Sequence, residues 1–82
     1  MTDEIRQIIK DHARLSVDTE GISDEDDLYL AGMTSHASVN VMIALEDHFD
    51  VEFPDSMLTR DTFESIGALA SAIAQIRTGA SV

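Results

Sequence analysis

The sequence predicts an all-α fold: a small bundle of three main helices plus a short one, with a long loop after the first helix. Three stretches repeat apolar residues at helical spacing, and no stretch alternates apolar and polar residues as a strand does. The chain of 82 residues has the length of one domain. We therefore expect residues 1–82 to form a single domain, with a frayed polar tail over 77–82.

The first helix is predicted over residues 3–15, with Thr2 as a candidate N-cap. Its apolar repeat runs through Ile5, Ile8, Ile9, His12 or Ala13, and Leu15. Arg6, Lys10 and Arg14 lie four residues apart and form one basic stripe. We interpret this stripe as a solvated helix face, with pairing to acids of the same domain as the alternative.

Residues 16–34 keep no helical period and are rich in turn and cap formers, so we predict a long ordered loop. Its apolar residues should hold it against the core; they are Ile22, Leu28, Tyr29 and Leu30. The second helix is predicted over residues 35–50, with Thr34 or Ser35 as its N-cap. The residues of its core stripe are Val39, Met42, Leu45 and Phe49, broadened by Val41 and Ile43.

The Phe53-Pro54 pair then interrupts the helical pattern. Asp55 can cap a short turn through residues 56–60, and Asp61 and Glu64 have the spacing of a capping box. A last helix follows, and its apolar face is formed by Ile66, Leu69, Ala70, Ile73 and Ile76.

The net charge of −11 is unevenly distributed along the chain. Residues 16–59 hold eleven acidic residues and no Lys or Arg, whereas the two flanks together hold five of each sign. Such a field repels nucleic acid and anionic membranes and attracts basic partner surfaces. Solubility alone is the other interpretation of this acidity.

Composition also bounds the cellular context and the class of function. The absence of cysteine excludes disulfides, cysteine nucleophiles and thiolate metal sites. No apolar run approaches the length that spans a bilayer, and the N-terminus does not resemble a signal peptide, so we expect a cytoplasmic protein. A chain this short has little room for a catalytic cleft, which favours a binding or carrier module over an enzyme.

Ser35 is the candidate functional residue because it stands at the predicted start of the second helix, after a glycine-containing turn. A phosphate ester there is favoured by the unpaired N–H groups and the positive end of the helix dipole. An ordinary N-cap is the alternative. His36 is a poor general base for its neighbour, because adjacent helix positions diverge by about 100°. The acids at 24–27 lack the glycine and glutamate that a calcium loop requires.

Four ordered motifs resemble the acyl carrier protein family over nearly the whole chain. Residues 31–36, Ala-Gly-Met-Thr-Ser-His, are similar to its G-x-D-S-L signature, and residues 44–49 are similar to its A-L-E-E-x-F motif. Residues 51–54 resemble the I-x-I/F-P segment that follows, and residues 63–69 resemble the T-V-G-D-L start of the last helix.

The resemblance implies that a phosphopantetheinyl transferase attaches phosphopantetheine from coenzyme A to Ser35. An acyl or aminoacyl cargo would ride on that arm as a thioester, and the domain itself would have neither catalytic residues nor a metal. The implied partners of this monomeric carrier are a cargo-loading ligase or acyltransferase and a downstream acceptor enzyme with a basic docking surface. The docking residues implied on the second helix are His36, Val39, Ile43, Glu46 and Asp47.

Departures from the family pattern point to a specialised carrier. Thr34 stands where the family usually has Asp, and His36 stands where it has Leu; Ala37 and Asn40 replace commonly acidic residues. They favour a carrier for an amino acid or for a dedicated lipid or polyketide over the general fatty-acid carrier, with a stand-alone aminoacyl carrier as the leading interpretation. Two hypotheses without a prosthetic group stay open: an acidic helical interaction module, and a cation-binding regulator that uses the acids at 24–27.

Overall fold

The computed structural model describes residues 1–13 and 15–78, and within them all regular structure is helical, as predicted. The four helices are α1 (Thr2–His12), α2 (Ser35–Phe49), α3 (Arg60–Phe63) and α4 (Ile66–Thr78). Single 3₁₀ turns lie at Thr19–Gly21 and Asp55–Met57. No helix in the described ranges is both long and apolar enough to cross a membrane.

Helix α1 is shorter than predicted at its C-terminal end. Met1 stands at the N-cap position and makes no side-chain cap bond, so Thr2 is the first helical residue rather than the cap. Ala13 closes the helix through a hydrogen bond to Ile9, and Leu15 lies beyond it, half-buried. Arg14 lies outside the described residues.

The core forms where α1 packs on α2 and α4, with α3 against α4. The fully buried side chains are Ile5, Ile9, Leu28, Val41, Leu45, Ile66, Leu69 and Ile73.

The sequence prediction of the α2 core face was wrong in one respect. The buried residues are Ala37, Val41 and Leu45, spaced four apart, whereas Val39 and Ile43 are 49% and 56% exposed. Val39 lies about 200° around the helix from Ala37, so the two residues cannot share a face. The apolar residues of α2 therefore divide between the core and solvent.

Arg6 fixes the loop 16–34. The prediction that it lies on a solvated helix face was therefore wrong for this residue. Its Nη1 donates to the carbonyl oxygens of Thr19 (2.8 Å) and Ile22 (2.7 Å), and its Nη2 pairs with Asp24 at 2.7 Å. The ion pair between Lys10 and Glu20 is longer, at 3.9 Å, and its side chains are more exposed. The alternative of pairing within the domain is thus correct for Arg6.

The second half of the loop is held by backbone hydrogen bonds to the α3–α4 region. Leu28 donates to the Glu64 carbonyl (2.7 Å), and Gly67 donates to the Asp24 carbonyl (2.8 Å). Leu28 is fully buried as predicted, but Leu30 is 84% exposed. The Leu30 N–H donates to the Asp27 carboxylate at 3.2 Å, so polar contacts hold the backbone of this turn without burial of the Leu30 side chain.

The helix caps after the Phe53-Pro54 break differ from the prediction. Thr59 caps α3 by accepting from Thr62 N–H, and Ser65 accepts from Ala68 N–H at the start of α4. Asp61 and Glu64 therefore do not form a capping box. Asp61 lies inside α3 and is not an N-cap, and Glu64 is the C-cap residue of α3. Helix α4 includes residues 77 and 78 of the expected tail, and residues 79–82 lie outside the described chain.

Candidate functional site

Ser35 is the first residue of α2, and the residue before it performs the capping. Thr34 has extended backbone angles, and its Oγ1 accepts a hydrogen bond from Ala37 N–H at 3.0 Å. The Ser35 side chain is exposed, and in the described part of the chain its hydroxyl takes part in no hydrogen bond. The hydroxyl is therefore not needed to start the helix and is accessible to chemistry.

The turn that precedes Ser35 is fixed against the end of α1. Gly32 adopts φ +118°, a conformation that favours glycine, and a Cβ there would lie 2.8 Å from Ser16 N. Ser16 donates to the Ala31 carbonyl from both its N–H and its hydroxyl, each at 3.0 Å. Met33 is buried next to this contact. The position of Ser35 is thus set by packing on its N-terminal side as well as by the Thr34 cap.

A cleft of about 340 Å³ opens directly beside Ser35, between the start of α2, the loop residue Tyr29 and the segment 58–63. The residues that line it are Tyr29, Ser35, Ser38, Val39, Met42, Leu58, Thr59, Arg60 and Phe63. Most of its wall is apolar, and its cationic residue is Arg60. A group attached to Ser35 therefore has a mainly apolar surface within reach.

Arg60 crosses this cleft and is held by two contacts. Its guanidinium carbon lies 4.3 Å from the centre of the Tyr29 ring, and its Nη2 is 3.8 Å from Asp27 Oδ2. The other oxygen of Asp27 accepts from the N–H groups of Tyr29 and Leu30. Arg60 was not among the residues predicted for the site. The signal was available, because Arg60 is the first basic residue after the acidic segment 16–59.

The predicted docking residues do lie on α2, and four of the five are exposed. These four are His36, Val39, Ile43 and Asp47. Glu46 is half-buried, and its Oε2 accepts from Phe53 N–H at 2.9 Å. Glu46 therefore ties the segment after α2 back to the helix, a role that the sequence did not reveal.

Many acids of segment 16–59 have local partners. Asp18 caps the 3₁₀ turn by accepting from Glu20 N–H, Asp26 accepts from Ser23 N–H, and Asp24 pairs with Arg6. The acidity of the loop therefore has a structural basis as well as an electrostatic effect.

A second polar contact joins α1 to α2 outside the cleft. His48 Nε2 lies 2.9 Å from Glu4 Oε2. This hydrogen bond lowers the pKa of the Glu4 carboxyl below its ordinary value. Both side chains are exposed, so the contact couples the two helices at the surface.

Comparison with known proteins identifies the class of molecule. A family model described as "Phosphopantetheine attachment site" matches residues 3–73. The aminoacyl carrier protein of Agrobacterium fabrum is 42% identical over 79 residues, which cover 96% of this chain and 95% of that protein.

Two solved structures are similar to the fold as well as to the sequence. One is the carrier protein from Agrobacterium tumefaciens in a crystal complex with an engineered Bradyrhizobium japonicum glycine:[carrier protein] ligase and AMP. It has a TM-score of 0.87 and 42% identity, and the match covers 90% of this chain and 99% of that one. The other is the holo acyl carrier protein of Nitrosomonas europaea, with a TM-score of 0.81 and 28% identity over 94% of this chain and 95% of that one.

The local geometry fits a covalent phosphopantetheine group. A serine hydroxyl outside the capping network stands at a helix start, and a mainly apolar cleft lies beside it. The family match also decides against the acidic interaction module without a prosthetic group. The chain therefore belongs to the phosphopantetheine attachment-site family, and it is a carrier protein with a covalent phosphopantetheine group rather than an enzyme.

Proposed function

We propose that Ser35 is the attachment residue and that this protein carries an aminoacyl group on the phosphopantetheine arm. One observation supports Ser35 above the other serines: Thr34 supplies the cap hydrogen bond, so Ser35 is at the helix start with its hydroxyl exposed. The arm supplies a terminal thiol on which cargo is held as a thioester. The residues of the chain anchor and present that arm.

Phosphopantetheinylation and intact mass test the attachment residue. Incubation with coenzyme A and a broad-specificity phosphopantetheinyl transferase should add one phosphopantetheine mass to the wild type. Ser35→Ala should remain unmodified and keep its helical circular dichroism, because Thr34 still caps α2. Ser38→Ala is the matched control, since Ser38 lines the same cleft three residues further on. Modification of Ser35→Ala would refute the assignment.

An aminoacyl cargo is supported by the relatives rather than by any one residue. The Agrobacterium fabrum relative is named for aminoacyl groups, and the Agrobacterium tumefaciens carrier binds a glycine:[carrier protein] ligase. The departures at Thr34, His36, Ala37 and Asn40 agree with a specialised carrier. We therefore propose that a ligase of this type loads the arm and that a downstream acceptor enzyme receives the cargo.

The loading step can be tested with the same mass measurement. The holo protein, ATP, glycine and a glycine:[carrier protein] ligase should give a further mass increase equal to one glycyl group. The apo protein serves as the control, because it lacks the thiol that forms the thioester. Loading of other amino acids instead of glycine would change the identity of the cargo within the proposal. Failure with every amino acid and ligase, alongside acylation by a fatty acyl transferase, would refute an aminoacyl carrier.

The exposed face of α2 is the proposed docking surface for these enzymes. Val39 and Ile43 form its apolar centre, and the carboxylates of Asp47 and Glu46 contribute negative charge. His36 lies at the end nearest Ser35. Ile43→Ser should weaken ligase binding and leave the melting temperature nearly unchanged, because this side chain is already 56% exposed. Val17→Ser is the control, because it replaces a similarly exposed apolar side chain (49%) in the loop 16–34 and not on α2. The cytoplasmic location and the monomeric state stay predictions from the sequence.

A further inference from the structure

We propose that Arg60 binds the phosphate of the group attached to Ser35 and thereby positions the arm over the cleft. This inference deepens the proposed function and rests on Ser35 being the attachment residue. Ser35 and Arg60 line the same cleft of about 340 Å³, so a phosphate on the serine hydroxyl lies within the space that the Arg60 side chain borders.

The guanidinium of Arg60 is held in place while its donors stay available. Its guanidinium carbon lies over the Tyr29 ring, 4.3 Å from the ring centre, in a cation–π contact. A cation–π contact uses the charge of the guanidinium and not its N–H donors, which lie in a planar fork that suits phosphate oxygens. In the described ranges, these N–H groups donate no hydrogen bond.

The existing ion pair of Arg60 is too weak to prevent this role. The distance of 3.8 Å to Asp27 Oδ2 exceeds that of a hydrogen bond, and the Arg60 side chain is 61% exposed. A phosphodiester shares one negative charge between two unbridged oxygens, and both oxygens can accept hydrogen bonds from a guanidinium, so it is a stronger partner than a carboxylate that stays 3.8 Å away. Attachment of the arm should therefore turn Arg60 from Asp27 toward the phosphate.

Charge distribution also singles out Arg60. The arm adds an anion to a segment that holds eleven acids and no Lys or Arg. Arg6 is committed to three contacts with the loop, Lys10 lies beside Glu20, and Arg77 is in the last turn of α4. Among these described bases, Arg60 is the one that lines the cleft beside Ser35.

The test compares apo and holo forms of three variants: Arg60→Gln, Arg60→Lys and Arg77→Gln. Intact mass first establishes that each holo form carries the arm on Ser35. The melting temperature of each holo form is then compared with that of its own apo form, so that any effect of the substitution on the Tyr29 contact cancels. The ³¹P resonance of the phosphodiester is recorded for each holo form.

We expect Arg60→Gln to lower the holo-minus-apo difference in melting temperature by about 2 to 5 °C and to move the ³¹P resonance. Arg60→Lys should restore part of both values, and Arg77→Gln should leave both as in the wild type. Equal values for wild type and Arg60→Gln would overturn the proposal, as would an equal loss in Arg77→Gln.

If Arg60→Gln does not fold, the side-chain N–H resonance of Arg60 in the wild type decides. A shift between apo and holo forms supports phosphate binding, and an unchanged resonance refutes it. A wild-type protein whose Ser35 never gains the arm contradicts the proposed function itself. A modified Ser35 with unchanged ³¹P and melting values contradicts only the role of Arg60.

Discussion

Replacement of Arg6 with Met should destabilise the fold far more than the same replacement of Lys10, four residues away on α1. Both substitutions remove one positive charge and keep a flexible side chain with good helix propensity. The two residues differ in their contacts. Arg6 donates to the carbonyls of Thr19 and Ile22 and pairs with Asp24, whereas Lys10 has a single ion pair at 3.9 Å.

The contacts set the expected magnitude. A hydrogen bond from a charged donor contributes about 1.5 kcal/mol or more when its acceptor is partly buried, so the two carbonyl contacts contribute about 3 kcal/mol. The Asp24 side chain is 48% exposed, and solvent screening limits that ion pair to about 0.5 kcal/mol. Arg6→Met should therefore cost about 2.5 to 4 kcal/mol. The exposed pair of Lys10 limits the cost of Lys10→Met to about 0.5 kcal/mol.

Chemical denaturation of the two variants and the wild type measures these differences in the free energy of unfolding, and thermal unfolding measures the corresponding shifts in melting temperature. In a domain of this size, 1 kcal/mol corresponds to about 4 to 8 °C in melting temperature. The loss for Arg6→Met should thus exceed 10 °C, and the loss for Lys10→Met should stay below about 4 °C. Equal losses would mean that net charge, and not the carbonyl contacts of Arg6, determines the stability of the loop.

Three further substitutions test local features of the fold. Asp50 ends α2 in the left-handed region (φ 54°), so Asp50→Gly should raise the free energy of unfolding by about 1 kcal/mol; an equal gain in Asp50→Ala, which removes the same charge but keeps a Cβ at positive φ, would assign the effect to charge. Gly32→Ala should lower it by about 1 to 3 kcal/mol because of its positive φ and the crowded backbone, whereas Gly21→Ala, with open space around its Cβ, should be nearly neutral. The pKa of Glu4 lies below its ordinary 4.5, so the stabilisation from its carboxylate is complete above pH 4.5 and is lost as pH falls through the lowered pKa. His48→Ala should return the pKa of Glu4 toward 4.5, as measured by NMR titration, and an unchanged pKa would show that the hydrogen bond is not the cause.

Periodicity in the sequence predicted the helices well and their faces less well. The pattern around Val39 and Ile43 satisfied helical spacing as fully as the pattern of Ala37, Val41 and Leu45 did. Only packing against α1 decides which set is buried, and side-chain size does not distinguish them, because Val39 and Ile43 are as large as the buried Val41 and Leu45. An apolar surface for partners and an apolar core face leave the same signal in one sequence.

The contacts of the loop were beyond sequence reasoning for a related reason. Arg6 binds carbonyl oxygens, and every residue offers a carbonyl, so no residue type marks the acceptors at Thr19 and Ile22. The Thr34 cap could be predicted because capping uses a local spacing of three residues. Arg60 and Tyr29 are far apart in sequence, and only the fold brings them to the cleft beside Ser35.

The departure at Thr34 has a physical meaning once the site is seen whole. The acyl carrier family that the chain resembles usually has Asp at this position, and Thr and Asp can both accept the cap hydrogen bond from the first turn. Thr34 performs that task without a carboxylate next to the phosphate, and the first turn of α2 contains no acidic residue. The anion that we propose at Ser35 would therefore meet less local repulsion, although the surrounding segment is strongly acidic. On our proposals, the neutral cap at Thr34 and the cation of Arg60 in the same cleft would together favour a phosphate at the start of α2.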